Sequence, residues 1–201
     1  MGSLFTALGL KFFFLFTPFF ALSMFLAMTV DKTPRERRSL AHRVALATVV
    51  IAGSLLFFGQ TIFDVFGITV DAFRIGAGAL LFLTAISLMN PKVVTDDGGR
   101  TRSDIAVVPL AMPVIVGPAS CGAILVAGAD LPAMAEKAVA FAALAAALAL
   151  IWLLLLVGTW VERRLGQRGL SILMRLTALI LAALSAQMVM TGVAAFLNGK
   201  A

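Results

Sequence analysis

The sequence predicts an all-α membrane protein that crosses a bilayer six times. The chain has 201 residues, of which 61% are hydrophobic and 13% charged, and its mean hydropathy is +1.05. A soluble domain of this length does not carry so much apolar side chain. Six apolar runs reach the roughly 20 residues that span a bilayer. They lie at about 11–30, 44–63, 72–90, 105–128, 138–160 and 171–195. The short connections between them exclude a separate soluble domain.

The basic residues lie in alternate loops and predict the orientation. The loops after the first, third and fifth predicted spans hold eleven of the sixteen Lys and Arg residues. Cytoplasmic loops carry this excess. We therefore predict a multi-pass membrane protein with both termini on the side away from the cytoplasm. These short loops explain the net charge of +6. No basic stretch is interleaved with aromatic residues, so nucleic acid is not a predicted partner.

The first predicted span is interrupted at Thr17-Pro18. Proline lacks an N–H and crowds the carbonyl four residues back, and in lipid the freed backbone groups must face protein or a water-filled cavity. We interpret Thr17, Pro18 and Ser23 as candidate substrate-binding positions of a broken helix. The alternative is an ordinary proline kink among bulky phenylalanines.

Charged residues open the third and sixth spans. Asp71 precedes Arg74 by three residues, which places both on one helix face. Arg175 lies at the corresponding place in the sixth span. Intramembrane charges are costly and are usually paired or functional. We interpret all three as gate or structural charges; for Arg175 the alternative is a side chain that reaches lipid headgroups.

The fourth predicted span contains prolines at 109, 113 and 118, so it cannot be one regular helix. A break leaves carbonyl groups at one helix end and N–H groups at the other. The N–H end suits a carboxylate and the carbonyl end suits a cation, so one break can bind both ends of a zwitterion. The candidate binding residues here are Pro113, Gly117, Pro118, Ala119 and Ser120, joined by Gln187 of the sixth span.

The two halves of the chain match each other. Pro118 follows Pro18 by 100 residues, and Arg175 follows Arg74 by 101. Between them Asp130, followed by Pro132 and Glu136, matches Asp31, followed by Pro34 and Glu36. Each half holds three spans, so the second half must insert upside down. We predict a first three-helix repeat at 1–90, a cytoplasmic linker at 91–104 and a second repeat at 105–201, with helices 1 and 4 broken. Many secondary transporters have this inverted-repeat architecture and bind substrate at the broken helices.

Several kinds of site are not predicted. The middle of each span lacks Asp and Glu, and no metal-ligand cluster or nucleophile–base pair appears. We therefore expect no enzyme activity, no metal and no cofactor.

The motifs resemble the MarC family. The resemblance rests on Pro109-Leu110-Ala111-Met112-Pro113 with Gly117-Pro118, on residues 73–78 (FRIGAG), on Arg175-Leu176 and on the loop 34–38 (PRERR). It implies a multi-pass protein of the bacterial inner membrane, with both termini in the periplasm and a six-span fold similar to the wider LysE-type exporter superfamily. It also implies a neutral amino acid as substrate. The first-half motif of the family is usually Asn-Pro-x-Gly-Asn-x-Pro. Here Thr17 replaces the Asn, Pro18 is kept, and Phe20, Ala21 and Ser23 replace the other three residues.

The predicted function is secondary transport of a small metabolite, most simply the export of a neutral amino acid, by alternating access around helices 1 and 4. The alternatives are an exporter of another solute or drug, a passive channel, and a membrane protein that acts through partners. The expected partners are the lipid bilayer, the small-molecule substrate and a possible second copy in a homodimer.

Overall fold

The computed structural model describes residues 2–89 and 117–197. Every element in this part of the chain is a helix. The helices are α1 (Gly2–Leu15), α2 (Pro18–Met28), α3 (Pro34–Phe66), α4 (Val70–Met89), α5 (Pro118–Ala129), α6 (Met134–Leu156) and α7 (Gly158–Leu197).

Helices α1 and α2 form one bent span with an angle of 41° at the break. Thr17 between them has left-handed backbone angles (φ 47°, ψ 62°), and Pro18 is the first residue of α2. A β-branched residue rarely adopts this conformation, so the break is held by its surroundings. The predicted break at Thr17-Pro18 is therefore present. The helix itself begins at Gly2 rather than near residue 11.

Helix α3 has well-defined ends. Thr33 and Glu36 form a capping box, in which the Thr33 N–H donates to Glu36 Oε2 at 2.8 Å. Pro34 occupies the first helical position, where its missing N–H costs nothing. Gly67 ends the helix with φ 64°, a conformation that favours glycine.

Helix α5 lies unusually close to α3 and α4. A Cβ added at Gly128 would lie 2.1 Å from the carbonyl oxygen of Leu56, and one added at Gly122 would lie 2.6 Å from Cβ of Ala77. Small residues allow such close approach of membrane helices. The position of α5 is thus fixed by close contact with α3 and α4.

Helix α7 is divided at Gly166, where φ is 64° and ψ is 176°. The part before Gly166 carries Trp160 and Arg164, whose guanidinium carbon lies 5.5 Å from the ring centroid. The part from Arg168 to Leu197 is long and apolar enough to cross a membrane. This longer part packs extensively against α4.

The described residues provide four helices that can cross a membrane, and five spans when α1 and α2 are counted as one. Helix α5 is shorter and corresponds to the second part of the predicted fourth span. Pro109 and Pro113 lie outside the described residues, as does the linker 91–104. The two-repeat division stays a prediction.

Candidate functional site

A cavity of about 380 Å³ lies between α1, α4, α5 and α7. Its volume is within the roughly 300–1,000 Å³ that is typical of small-molecule sites. Most of the buried core lies outside it, so it is a defined opening in an otherwise packed helix bundle.

Each of the four helices turns one face to the cavity. The lining residues in α1, α5 and α7 recur every three or four positions, which is the spacing of one helix face. They are Leu8, Lys11, Phe12 and Leu15 of α1, Arg74 and Leu81 of α4, Ala123, Val126 and Ala127 of α5, Asp130 and Leu131 directly after α5, and Leu184, Gln187, Met188 and Thr191 of α7. From Arg74 to Leu81 the rise of an α-helix is roughly 10 Å, which approximates the depth of the cavity.

The cavity is polar at one end and apolar at the other. We call the end at Arg74 and Asp130 the mouth, because Asp130 is exposed there, and the end at Leu15 and Leu81 the floor, because both leucines are buried. Polar groups therefore lie where water can enter, and a substrate that moves inward meets side chains without polar atoms.

Arg74 connects two helices at the mouth. Its Nη1 donates to Oδ1 of Asp71 on the same helix at 2.5 Å, and its Nη2 donates to Oδ1 of Asp130 at the end of α5. The side chains of Arg74 and Asp71 are 12% and 18% exposed, and that of Asp130 is 49% exposed. The cation is thus largely enclosed, while one of its two acidic partners faces the opening.

Other polar side chains flank this ion pair. Lys11 is exposed on α1, and Gln187 and Thr191 are exposed one turn apart on α7. The hydroxyl of Thr191 donates to the carbonyl of Gln187 at 2.8 Å. The Gln187 amide and the Lys11 ammonium therefore add hydrogen-bonding groups to the cavity wall.

The break between α1 and α2 lies next to the beginning of α5, near the floor. The hydroxyl of Ser120, in the first turn of α5, donates to the carbonyl of Leu15 at 3.1 Å. Leu15 is the last residue of α1, where a carbonyl has no acceptor role within the helix. Ser120 is 7% exposed, so this hydrogen bond is shielded from water. This contact joins the end of α1 directly to the first turn of α5.

The predicted site residues are divided between the cavity and the breaks. Arg74 and Gln187 line the cavity, and Asp71 holds Arg74. The other described candidates do not line it: Thr17, Ala119 and Ser120 are buried at the breaks, Pro18 begins α2, Ser23 is half-buried on α2, and Gly117 and Pro118 begin α5.

Two further candidates have other locations. Arg175 is exposed on α7, and among the described residues it forms no ion pair, unlike Arg74. Pro113 lies outside the described residues.

Sequence reasoning missed the contributions of Lys11, Asp130 and Thr191 to the cavity. The signal for Thr191 was its spacing of four residues from Gln187, which places both on one helix face. Asp130 was recognised only as part of the repeat match. Its contact with Arg74 spans 56 residues and depends on the close packing of α4 and α5, which no local pattern specifies.

Comparison with known proteins identifies the family. Residues 2–197 match the family described as MarC family integral membrane protein. The UPF0056 membrane protein MJ1677 of Methanocaldococcus jannaschii is 30% identical over 187 residues, covering 90% of this chain and 91% of the relative. The UPF0056 membrane protein YhcE of Escherichia coli is 30% identical over 194 residues, covering 93% and 90%.

A further relative is the UPF0056 membrane protein YvbG of Bacillus subtilis, at 29% identity over 177 residues and 84% of both chains. No solved structure matches the chain. The resemblance seen in the motifs is confirmed: the chain belongs to the MarC family of integral membrane proteins.

Proposed function

We propose that the protein is a secondary transporter that exports a small metabolite of the neutral amino acid class by alternating access. The observation that carries the proposal is the cavity, because it has charges of both signs at its mouth and the two helix breaks near its floor. Transporters of the inverted-repeat type bind their substrates at such discontinuous helices.

The packing of the helices supports a structure of two related halves that contact each other in the same way. Under the proposed repeat, the bent span α1–α2 corresponds to the fourth span, which ends in α5, while α3 corresponds to α6 and α4 to α7. Helix α1 packs on α6, and α5 packs on α3, so each of the two proposed broken spans contacts the middle helix of the other half. Helices α4 and α7 pack on each other, as two elements on a pseudo-two-fold axis do.

The orientation follows from charge. In the proposed topology the first turns of α3, with Arg35, Arg38 and Arg43, face the cytoplasm of a bacterial cell, because the cytoplasmic ends of membrane spans are enriched in basic residues. The mouth of the cavity then faces the periplasm, together with both termini. The present conformation is accordingly outward-facing, the state from which an exported substrate leaves.

In the proposed transport step, the floor of the cavity opens. Leu15 and Leu81 close the inner end of the cavity, and the hydrogen bond from Ser120 to the Leu15 carbonyl joins the two breaks beneath it. A half-turn movement of the broken helices against the rest would open this end and close the mouth. The N–H groups that begin α5, at Ala119 and Ser120, would then line the path of an anionic group.

Reconstitution into liposomes tests the proposal. Vesicles loaded with unlabelled alanine are expected to accumulate labelled alanine transiently and with saturation, since a carrier exchanges substrate across the membrane. Flux without saturation or counterflow would indicate a channel, and no flux of any amino acid would contradict the proposed substrate class. Empty liposomes and liposomes containing heat-denatured protein provide the controls.

A further inference from the structure

We infer that Arg74 and Asp130 form a binding subsite for the two charges of a zwitterion: the guanidinium takes the carboxylate of a small neutral amino acid, and Asp130 takes its ammonium group. This inference rests on the proposed transport function and adds the residues that select the substrate.

Contacts with the described residues use only part of the hydrogen-bonding capacity of Arg74. A guanidinium has five N–H donors in a fixed planar arrangement, and two bonds engage Oδ1 of Asp71 and Oδ1 of Asp130. The remaining donors can bind a carboxylate, whose two oxygens match two parallel N–H groups of the planar guanidinium. Asp71 fixes the side chain from behind, because it belongs to the same helix and is itself largely enclosed.

Asp130 supplies the complementary group. Its Oδ1 accepts from Arg74, and its side chain is 49% exposed at the mouth. A carboxylate accepts up to about four hydrogen bonds, so Asp130 can bind an ammonium without leaving Arg74. The carboxylate and ammonium of an α-amino acid are attached to one carbon, and a cation and an anion in direct contact match that short separation.

The rest of the cavity fits the same class of ligand. Below the ion pair the wall turns apolar, with Leu81 and Leu15 at the floor. An apolar side chain that points inward from the zwitterion loses water without leaving a polar group unpaired. A charged side chain in the same position would lie among leucines with no partner, so the subsite selects neutral amino acids over basic and acidic ones.

Binding to purified protein tests the inference with alanine and two of its analogues. Propionate keeps the carboxylate and lacks the ammonium; alaninamide keeps the ammonium and lacks the carboxylate. We expect alanine to bind the unaltered protein at least about tenfold more tightly than either analogue, since each analogue loses one charged interaction. Affinities are measured by isothermal titration in detergent.

Two variants then separate the charges. Asp130→Asn should weaken alanine about tenfold and leave propionate unchanged, whereas Arg74→Lys should weaken both about tenfold. Asp130→Glu restores the charge and should recover part of the alanine affinity. Asp31→Asn removes the exposed acid at the matching place of the first half and should change neither ligand.

The outcomes distinguish the two proposals. Alanine exchange by the unaltered protein together with an unchanged alanine affinity in Asp130→Asn would overturn the zwitterion subsite alone. Equal weakening of alanine and propionate in Asp130→Asn would also overturn it, because the pair would then only join α4 to α5. Absence of alanine exchange and binding in the unaltered protein would overturn the transport proposal and the subsite with it. Thermal unfolding of each variant shows whether it is folded, and Asp130→Ser, which also removes the carboxylate, replaces Asp130→Asn in the comparison if the latter is not.

Discussion

The first helix break, at Thr17-Pro18, and the start of α5, at Gly117-Pro118, occupy corresponding places in the proposed repeat, yet they are built differently. At the first break the backbone bears the distortion: Thr17 has a left-handed conformation, and its side chain makes no capping hydrogen bond. At the second break Gly117 is extended, with φ −72° and ψ 170°, and the polar contact comes from Ser120. The first break therefore leaves a carbonyl without a partner, and the second break supplies the hydroxyl that satisfies it.

The comparison shows that these two places form one contact, from Ser120 to Leu15, rather than two equal binding sites. We call this contact the joint. Ser120 donates to Leu15, so the polar residue of the second half is occupied by the first half. The charged groups at the mouth repeat this relation in reverse, because Arg74 of the first half binds Asp130 of the second. The two halves are thus held together at both ends of the cavity, and predictions follow for each contact.

The largest effect is expected where α5 is fixed against α3. Gly128→Ala places a Cβ about 2.1 Å from the Leu56 carbonyl oxygen, a distance that real Cβ atoms do not adopt. The helices must separate, and because overpacking of this kind costs about 1–3 kcal/mol where side chains can adjust, a clash with backbone should cost about 3 kcal/mol or more. Thermal unfolding in detergent measures the loss.

Gly76→Ala is the matched control for that change. A Cβ at Gly76 meets no atom within 4 Å, so its unfolding temperature should stay within the error of the unaltered protein. Equal stability of the two variants would mean that α5 is not held by backbone contact with α3.

A smaller loss is expected when the joint between the breaks is cut. Ser120→Ala removes the donor to the Leu15 carbonyl and leaves a buried acceptor unpaired, which should cost about 1–3 kcal/mol. Ser87→Ala is the control, because the Ser87 hydroxyl donates only within its own helix, to Leu83. Denaturation measures the free energy of unfolding of both variants. An equal and small loss in the two would show that the Ser120 hydrogen bond does not stabilise the joint.

The smallest effect should be a gain in stability at the first break. Thr17→Asn replaces a β-branched residue with one that tolerates the left-handed region, and the relief should contribute about 1 kcal/mol. Thr48→Asn, in the regular part of α3, should instead destabilise the protein, because Thr48 is buried and its hydroxyl bonds within the helix. A lower unfolding temperature for Thr17→Asn would show that Thr17 is not strained.

Local features of the sequence predicted much of this arrangement. The apolar runs located the membrane helices, and Pro18 and Pro118 located the breaks, because proline acts on its own helix whatever surrounds it. The contacts of Ser120 and Asp130 could not be predicted, since each joins residues far apart in sequence. The repeat also suggested equal roles for Arg74 and Arg175, but only Arg74 is enclosed with acidic partners among the described residues.

The central claim is that the cavity between α1, α4, α5 and α7 is the substrate site, and cysteine protection tests it most directly. In a Cys121→Ala background, Gln187→Cys places a thiol on the cavity wall, and Ala133→Cys places one in the exposed loop after α5. A membrane-impermeant thiol reagent added from the periplasmic side should modify both. Alanine should slow modification at position 187 and not at 133. Equal rates at position 187 with and without alanine would contradict the account.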